Sequence, residues 1–492
     1  MMYKHTLFKL LISTALIPFT LNASDTKTAT PHAEEIRRFE QSLRTPIKFE
    51  GDKSWTLKGR MKHYGIHGIS IAVIEDFNIK WHKAYGIQSL KTQQPVTSST
   101  RFQAGSISKP LTALATLQLV QQGKISLDQE ANKALKRWKI APNLHTQNNP
   151  VQIKHLINHS AGLTVHGFDG YDQKQTLPSV LQILNGRSPA NSDAVIVNSA
   201  PGELFRYSGG GYTVLQQLLS DVADQPFATL MQTSLLQPLG MTHSTFDQSA
   251  PQQAPKQYAS GYLPDGKPVA DGYRRFPEMA AAGLWTTADD LAKFVIALQK
   301  SLKGDKHSYI SQEYAQKMIT PSTMPYVGNG LFLRGTLKGY GDYFEHSGGL
   351  DGFTATLVGH QRDGYGIVIL TNANQPDILN EIIYSIAEVN QWQDIIPPLM
   401  KAQPFNKKEI ERMSGTYQYD DYTNISVFAE ADRVYAQYSF EGAPKDELFK
   451  IAENTYVRRE RPTKIRFIEH KGQTMFAFVE ADGTVKALRP LK

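Results

Sequence analysis

The sequence predicts an α+β protein with a separate small antiparallel β domain at its C-terminus. Three observations predict it. β-rich runs near residues 69–86 and again at 353–370 enclose a middle third patterned for helix and loop, a proline-punctuated stretch follows, and short strand-like runs then recur at regular spacing. At 492 residues the chain exceeds one ordinary core, so a large unit plus a smaller one is the expected division.

The elements follow in chain order. Lys4 and Lys9 precede an apolar run from Leu10 to Leu21 that ends in Leu21-Asn22-Ala23, the pattern of a cleavable secretory signal cut after Ala23. Ser13, Thr14, Pro18 and Thr20 interrupt the run, whereas an anchor needs about 20 apolar residues, so no stable membrane span is expected after cleavage. The mature chain is therefore expected to be exported, periplasmic or secreted. Residues 24–44 are polar and read as loose or as a short helix.

The main unit is expected over residues 45–395. Ile69-Ser70-Ile71-Ala72-Val73-Ile74 and Ile79 to Gly86 flank a polar turn and read as an antiparallel hairpin. Leu111, Leu114, Leu117 and Val120 mark a buried helix from Ser106, stopped by Gly123. Tyr212 to Ala223 and Phe227 to Leu236 read as helices, and another follows Thr287, which supplies its N-cap ahead of Asp289 and Asp290. Phe353 to Val358 and Gly366 to Leu370 return as strands about Asp363-Gly364, and a helix from about Pro376 to Glu388 closes the unit.

A linker spans 396–404, through Pro397, Pro398 and Pro404, and the β domain 405–492. Its seven strand-like runs are Thr416 to Tyr419, Ile425 to Ala429, Val434 to Tyr438, Tyr456 to Arg458, Ile465 to Glu469, Met475 to Val479 and Val485 to Leu488. An Asp482-Gly483 turn precedes the last.

Composition excludes several classes. Zero cysteines remove disulfides, a thiol nucleophile and a lipidated N-terminus. The 53 Lys and Arg against 46 Asp and Glu give +7, spread along the chain without a basic block, so no nucleic-acid partner is expected.

Phe102-Gln103-Ala104-Gly105-Ser106-Ile107-Ser108-Lys109-Pro110 is the sharpest local feature. On a helix starting at Ser106, residues three apart share a face, which sets the Lys109 ammonium beside the Ser106 hydroxyl. Pro110 fits only near a helix start. The spacing alone is weak, since Ser24-Asp25-Thr26-Lys27 matches it in a polar stretch. Context comes from Arg206-Tyr207-Ser208-Gly209-Gly210-Gly211-Tyr212, where a phenol stands among glycines. With positive charge nearby, the Tyr207 phenol can act as a base, while Tyr212 reads as a packed core tyrosine. The third segment is Glu345-His346-Ser347-Gly348-Gly349-Leu350, expected just before a strand. Glycines there let a backbone N–H approach a substrate carbonyl, and Gly349 is assigned one oxyanion donor beside the N–H of Ser106.

These three segments, in this order, resemble the S-x-x-K, Y-x-N and K/H-x-G motifs of the serine β-lactamase and penicillin-binding superfamily, its class C branch above all. Gly68 to Gly86, His155-Leu156-Ile157-Asn158-His159-Ser160-Ala161-Gly162-Leu163, Pro238 to Met241 and Gly283 to Leu291 resemble further landmarks, over about residues 45–390. The resemblance implies a β-lactamase/transpeptidase-like fold, an α/β sheet domain beside an all-helical one, with the appended C-terminal segment a small antiparallel β-barrel. It implies acylation of Ser106, with Tyr207 and Lys109 taking its proton and His346, Ser347, Gly348 and Gly349 lining the oxyanion and substrate side. No metal or organic cofactor is implied. The expected partner is a small ester or amide, or a peptide derived from peptidoglycan.

Two departures matter. Gly209 stands where the motif has asparagine, and His346 where class C β-lactamases have lysine, which ranks an esterase or D-amino-acid peptidase above a β-lactamase. A zinc hydrolase would need Glu after His155, where Leu156 stands, and an α/β-hydrolase needs G-x-S-x-G, which is absent. The remaining rival is a non-catalytic protein that keeps the fold and binds cell-wall fragments or a partner.

Overall fold

The structure, a computed structural model, describes residues 32–492 apart from 337–338, 393, 421, 440–442, 444, 460–462, 480–484 and 492. The signal expected over residues 1–23, the Ser24-to-Lys27 match and the Asp482-Gly483 turn lie outside the described residues.

Strands from opposite ends of the main unit complete one sheet. Its order is Asn78–Gly86, Gly68–Glu75, Gly366–Thr371, Phe353–His360, Gly339–Leu350, Phe332–Thr336, antiparallel at every pairing. The expected hairpin turns through Asp76 and Phe77, both at positive φ (50° and 60°), the geometry whose twist matches a two-residue connection. Ile69 to Ile74 then pair with Thr371 to Gly366, joining sequence segments almost 300 residues apart.

Both faces of this sheet are covered, which explains why its central strands read as mainly apolar runs. Ile69, Ile71, Val73, Ile367 and Ile369 share a cluster with Ile378, Ile382 and Ile386 of the Asp377–Asn390 helix. Ala72, Ile74, Val368 and Leu370 face the opposite way, into the core that holds Leu291, Val295 and Leu298 of the Ala288–Lys303 helix. Thr287 caps that helix, its hydroxyl accepting the Asp290 N–H at 3.2 Å, as expected.

Helices Ser108–Gln121 and Gly209–Ala223 form the centre of the helical region, buried on nearly every side. Around them lie Ile153–Ile157, Val180–Leu184 and Phe227–Met231, the last running on as a π-helical turn through Leu236. Two expected boundaries are corrected. The first of these helices begins at Ser108 and not at Ser106, because Ala104 to Lys109 form successive tight turns before α-helical bonding starts. The second begins three residues before Tyr212, at Gly209, with Ser208 as its cap accepting the Gly211 N–H at 2.9 Å.

The C-terminal unit has eight strands paired in sequence order from Gly415–Gln418 to Val485–Leu488. Its ends meet, since the Gln418 N–H donates to the Arg489 carbonyl at 2.8 Å and the Leu491 N–H to Thr416 at 2.7 Å. The sheet is thus a nearly closed, barrel-like one, and its edges are satisfied by each other. The strand that the sequence hid is Lys445–Ala452, whose charged opening Lys445-Asp446-Glu447 masks the alternation carried by buried Leu448.

The polar segment read as loose or a short helix contains a short helix, and both it and the linker are anchored. Ala33–Gln41 is a helix whose Phe39, with Leu43, is wholly buried in the outer cluster of the sheet, and Ile395 and Ile396 join them. Arg44 Nη2 donates to the Pro397 carbonyl at 2.9 Å. Residues on both sides of the 45–395 segment therefore pack against its sheet.

Candidate active site

Ser106 sits at the top of a turn that is stitched into place from below. Gly105 takes φ 51°, the Ser108 hydroxyl donates to the Gly105 carbonyl at 2.7 Å, and the Leu284 N–H donates to the Ser108 hydroxyl at 3.0 Å. A left-handed residue is what reverses the chain here, and glycine adopts it without strain. The turn then feeds the Ser108–Gln121 helix, where Lys109 is buried.

Lys109 Nζ donates to Ser106 Oγ at 2.9 Å and to the Ala281 carbonyl at 2.8 Å, and lies 4.8 Å from the centre of the Tyr207 ring. The spacing of three residues delivers the ammonium to the hydroxyl as the sequence implies, though through a turn and not a helix face. Ala281 was not legible as a partner, because only its carbonyl is used; the segment Gly283 to Leu291 that resembles a family landmark lies just beyond it. Tyr207 is half-buried beside Lys109, and its hydroxyl has no hydrogen-bond partner among the described residues. Tyr212 is the packed tyrosine that its reading implied, fully buried and donating to the Ile157 carbonyl at 2.8 Å.

The third segment stands directly before the strand Phe353–His360, as expected, and itself forms the end of the strand Gly339–Leu350. The neighbouring strand Phe332–Thr336 pairs only as far as Glu345, so residues 346–350 expose an unpaired edge on that side. This edge meets the Ser106 turn. A methyl group added at Gly348 would sit 1.9 Å from the Ala104 carbonyl oxygen and 3.2 Å from the Ser106 nitrogen. One added at Gly105 would sit 3.2 Å from the Gly349 nitrogen, whereas nothing lies within 4 Å of one added at Gly349. The geometry therefore demands glycine at 348 and leaves open space at 349. Gly348→Ala is expected to lower both thermal stability and any Ser106 reactivity by at least about tenfold, while Gly349→Ala keeps the melting temperature within about 1–2 °C; paired melting curves and labelling rates check this.

His346 is buried, its Nδ1 2.7 Å from the Ser347 carbonyl. Burial and the Lys109 charge push its pKa down to about 3, so it presents a neutral imidazole at ordinary pH. The Ser347 hydroxyl lies 3.4 Å from that of Thr356 on the next strand. Around this edge the cations are already paired: Arg334 with Glu345, and Arg274 with Asp172 at 2.8 Å and Asp351 at 2.9 Å. A polar cavity of about 600 Å³ lies against Gly349, with Phe168, Asn191, Arg274 and Asp351 in its wall.

The structure also gives a physical reason for Gly209. Its N–H donates to the His166 carbonyl at 2.9 Å, and a methyl group there would sit 3.0 Å from the Phe168 ring and 3.1 Å from that carbonyl. An asparagine side chain there would begin in tight contact with Phe168 and the His166 carbonyl.

His155 and His159 do not share a helix face. The helix ends at Ile157 and His159 takes φ 60°, while His155 Nδ1 accepts the Gln152 N–H at 3.1 Å. Among the described residues no group of three His, Asp or Glu side chains is placed to hold a metal ion. Glu278, next to the Ala280–Ala281 carbonyls, is wholly buried with neither carboxyl oxygen hydrogen-bonded, and burial raises its pKa to about 8.

Comparison with known proteins agrees with this architecture. The family described as Beta-lactamase matches residues 56–391. Protein flp of Staphylococcus aureus (strain N315) is 26% identical over 315 residues, which is 63% of this chain and 60% of that protein. The match thus spans about three fifths of the length of the S. aureus relative. Penicillin-binding protein 4* of Bacillus subtilis (strain 168) is 23% identical over 421 residues, 81% of this chain and 89% of that one. Among solved structures, the octameric penicillin-binding protein homologue from Pyrococcus abyssi superposes with a TM-score of 0.60 at 24% identity, covering 87% of this chain and 96% of that one. D-alanine carboxypeptidase AmpC from Burkholderia cenocepacia gives 0.52 at 24% identity, over 68% and 95%. These two likenesses concern the fold alone. With the family match extending over more than half of its length, the chain belongs to the beta-lactamase family, whose β-lactamase-like serine-hydrolase architecture it shares.

Proposed function

We propose that this protein is an exported serine hydrolase that forms an acyl-enzyme on Ser106, and that its substrate is a small ester or amide without a carboxylate at the recognition end. The observation that carries the reading is the Ser106 hydroxyl held 2.9 Å from Lys109 Nζ against the unpaired edge of residues 346–350. Ser106 attacks the carbonyl carbon as Tyr207, beside the Lys109 charge, takes the hydroxyl proton. The N–H groups of Ser106 and Gly349 stabilise the oxyanion; the proton returns to the leaving group, and water then hydrolyses the acyl-serine.

Three features favour a neutral substrate over a β-lactam. His346 is uncharged where a lysine would meet a carboxylate. Arg274 and Arg334 are each compensated by carboxylates. Phe168 and the His166 carbonyl crowd the place of an amide-holding asparagine, which leaves a peptide amide without that partner. A D-amino-acid peptidase is the next reading, and the fold alone is kept in common with the carboxypeptidase neighbour.

The test is a panel of short-chain aryl esters, a chromogenic cephalosporin and D-amino-acid peptides, alongside a fluorophosphonate probe. Wild-type protein is expected to label and to turn over esters at least about tenfold faster than the cephalosporin. The reverse order would reinstate a lactamase. Absence of labelling would favour a protein that binds cell-wall fragments or a partner without catalysis.

A further inference from the structure

We propose that His159 is the positioning residue for Tyr207, gripping it at three points at once; this rests on the hydrolase reading above. The His159 carbonyl accepts the N–H of Arg206, the residue before Tyr207, at 2.7 Å. Its ring Nδ1 accepts the N–H of Ser208, the residue after, at 3.1 Å. Its imidazole stacks on the phenol itself, with ring centres 4.3 Å apart and planes 28° apart. One residue therefore holds the backbone on both sides of Tyr207 and the face of its ring.

The need for such a grip is local. Tyr207 precedes Gly209, Gly210 and Gly211, which offer no side chains to pack against it, and its hydroxyl is untethered by hydrogen bonds among the described residues. Two other rings approach the phenol, His166 tilted by 47° at 5.1 Å and Phe332 within 19° of parallel at 6.4 Å, but neither residue bonds the N–H groups of Arg206 and Ser208 as His159 does. The left-handed backbone of His159, φ 60°, is what allows its carbonyl and its ring to reach the same loop. Because Nδ1 accepts, the ring proton belongs on Nε2 and the stacked ring is neutral. Burial, then Lys109 and His346, keep its pKa well below the usual imidazole value, so it adds no second charge beside Lys109. A proton-transfer group displaced by about 1 Å loses rate far out of proportion to the distance, so the plate acts on catalysis through the phenol.

A double-mutant cycle tests this. His159→Asn keeps an acceptor at the position of Nδ1 and tolerates positive φ, but removes the ring. In the full-length protein its fluorophosphonate labelling rate is expected to fall about 10- to 100-fold, and ester kcat with it, at a KM within about twofold of wild type. In a Tyr207→Phe chain the same change is expected to cost less than about twofold, since the group it positions is gone. A cost of equal factor in both chains, or no cost in either, overturns the proposal in favour of a purely structural histidine. If the asparagine variant does not fold by circular dichroism, His159→Gln, which also removes the ring, carries the same cycle with the same expected and overturning outcomes. Wild-type protein that fails to label overturns the hydrolase reading and this inference with it, whereas a labelled wild type with an additive cycle overturns only this one.

Discussion

Ser106→Ala is expected to abolish covalent labelling by a fluorophosphonate and to reduce ester turnover by at least about 10³-fold, with the melting temperature unchanged within about 2 °C. The effect is large because Ser106 carries the hydroxyl that Lys109 contacts, and the nearby Ser108 cannot replace it. Ser108, two residues on, is wholly buried and its hydroxyl is committed to the Gly105 carbonyl and the Leu284 N–H. The fold loses little because Ser106 is partly exposed and its Oγ contributes one hydrogen bond, from Lys109. Mass spectrometry of the probe-treated proteins reads the outcome directly. Persistent labelling of the alanine variant would place the nucleophile elsewhere and remove the basis of the site.

Lys109→Met is expected to lower the labelling rate by about 10²- to 10⁴-fold, the range for losing a group that drives proton transfer. Methionine keeps the unbranched shape in a buried position, so the substitution removes charge more than volume. It also leaves the Ala281 carbonyl without its donor, an uncompensated buried acceptor worth about 1–3 kcal/mol, so the variant should fold with a lower melting point. Lys109→Arg should not rescue the rate, because a planar guanidinium cannot occupy the place of a point ammonium between Ser106 Oγ and the Ala281 carbonyl. Labelling time courses at matched folded fraction separate the two effects. A rate within fivefold of wild type would show that Tyr207 or water alone activates Ser106.

Much of the fold was legible because burial on both faces writes itself into composition. Ile69 to Ile74, interrupted only by Ser70, and Gly366 to Leu370 are apolar runs rich in β-branched residues, as strands buried on both faces need. Thr287 with Asp289 and Asp290 announced a helix start for the same local reason. What stayed hidden depended on remote partners. Lys445–Ala452 is a strand because its neighbours on either side pair with it, against a charged opening that no local pattern favours. Ala33–Gln41 is fastened because Phe39 finds the outer face of a sheet whose strands lie beyond residue 68.

At the site, the residue types and their order made Ser106, Lys109, Tyr207 and the segment His346 to Gly349 the candidates, and the fold brings them together. Side-chain chemistry and a three-residue spacing are properties of the chain itself, and they survive a helix start shifted by two residues. The sequence could not say that His159, read there as part of a family landmark and weighed as a metal ligand, stacks on Tyr207, nor that Ala281 receives the ammonium. Nor could it say that Phe168 and the His166 carbonyl crowd Gly209. Those are distances between segments far apart in the chain, and only the packing of helices against the sheet sets them. Sequence thus determined which groups are available for chemistry, and tertiary structure decided which of them meet, because stacking, burial and backbone hydrogen bonds act over a few ångströms irrespective of residue number.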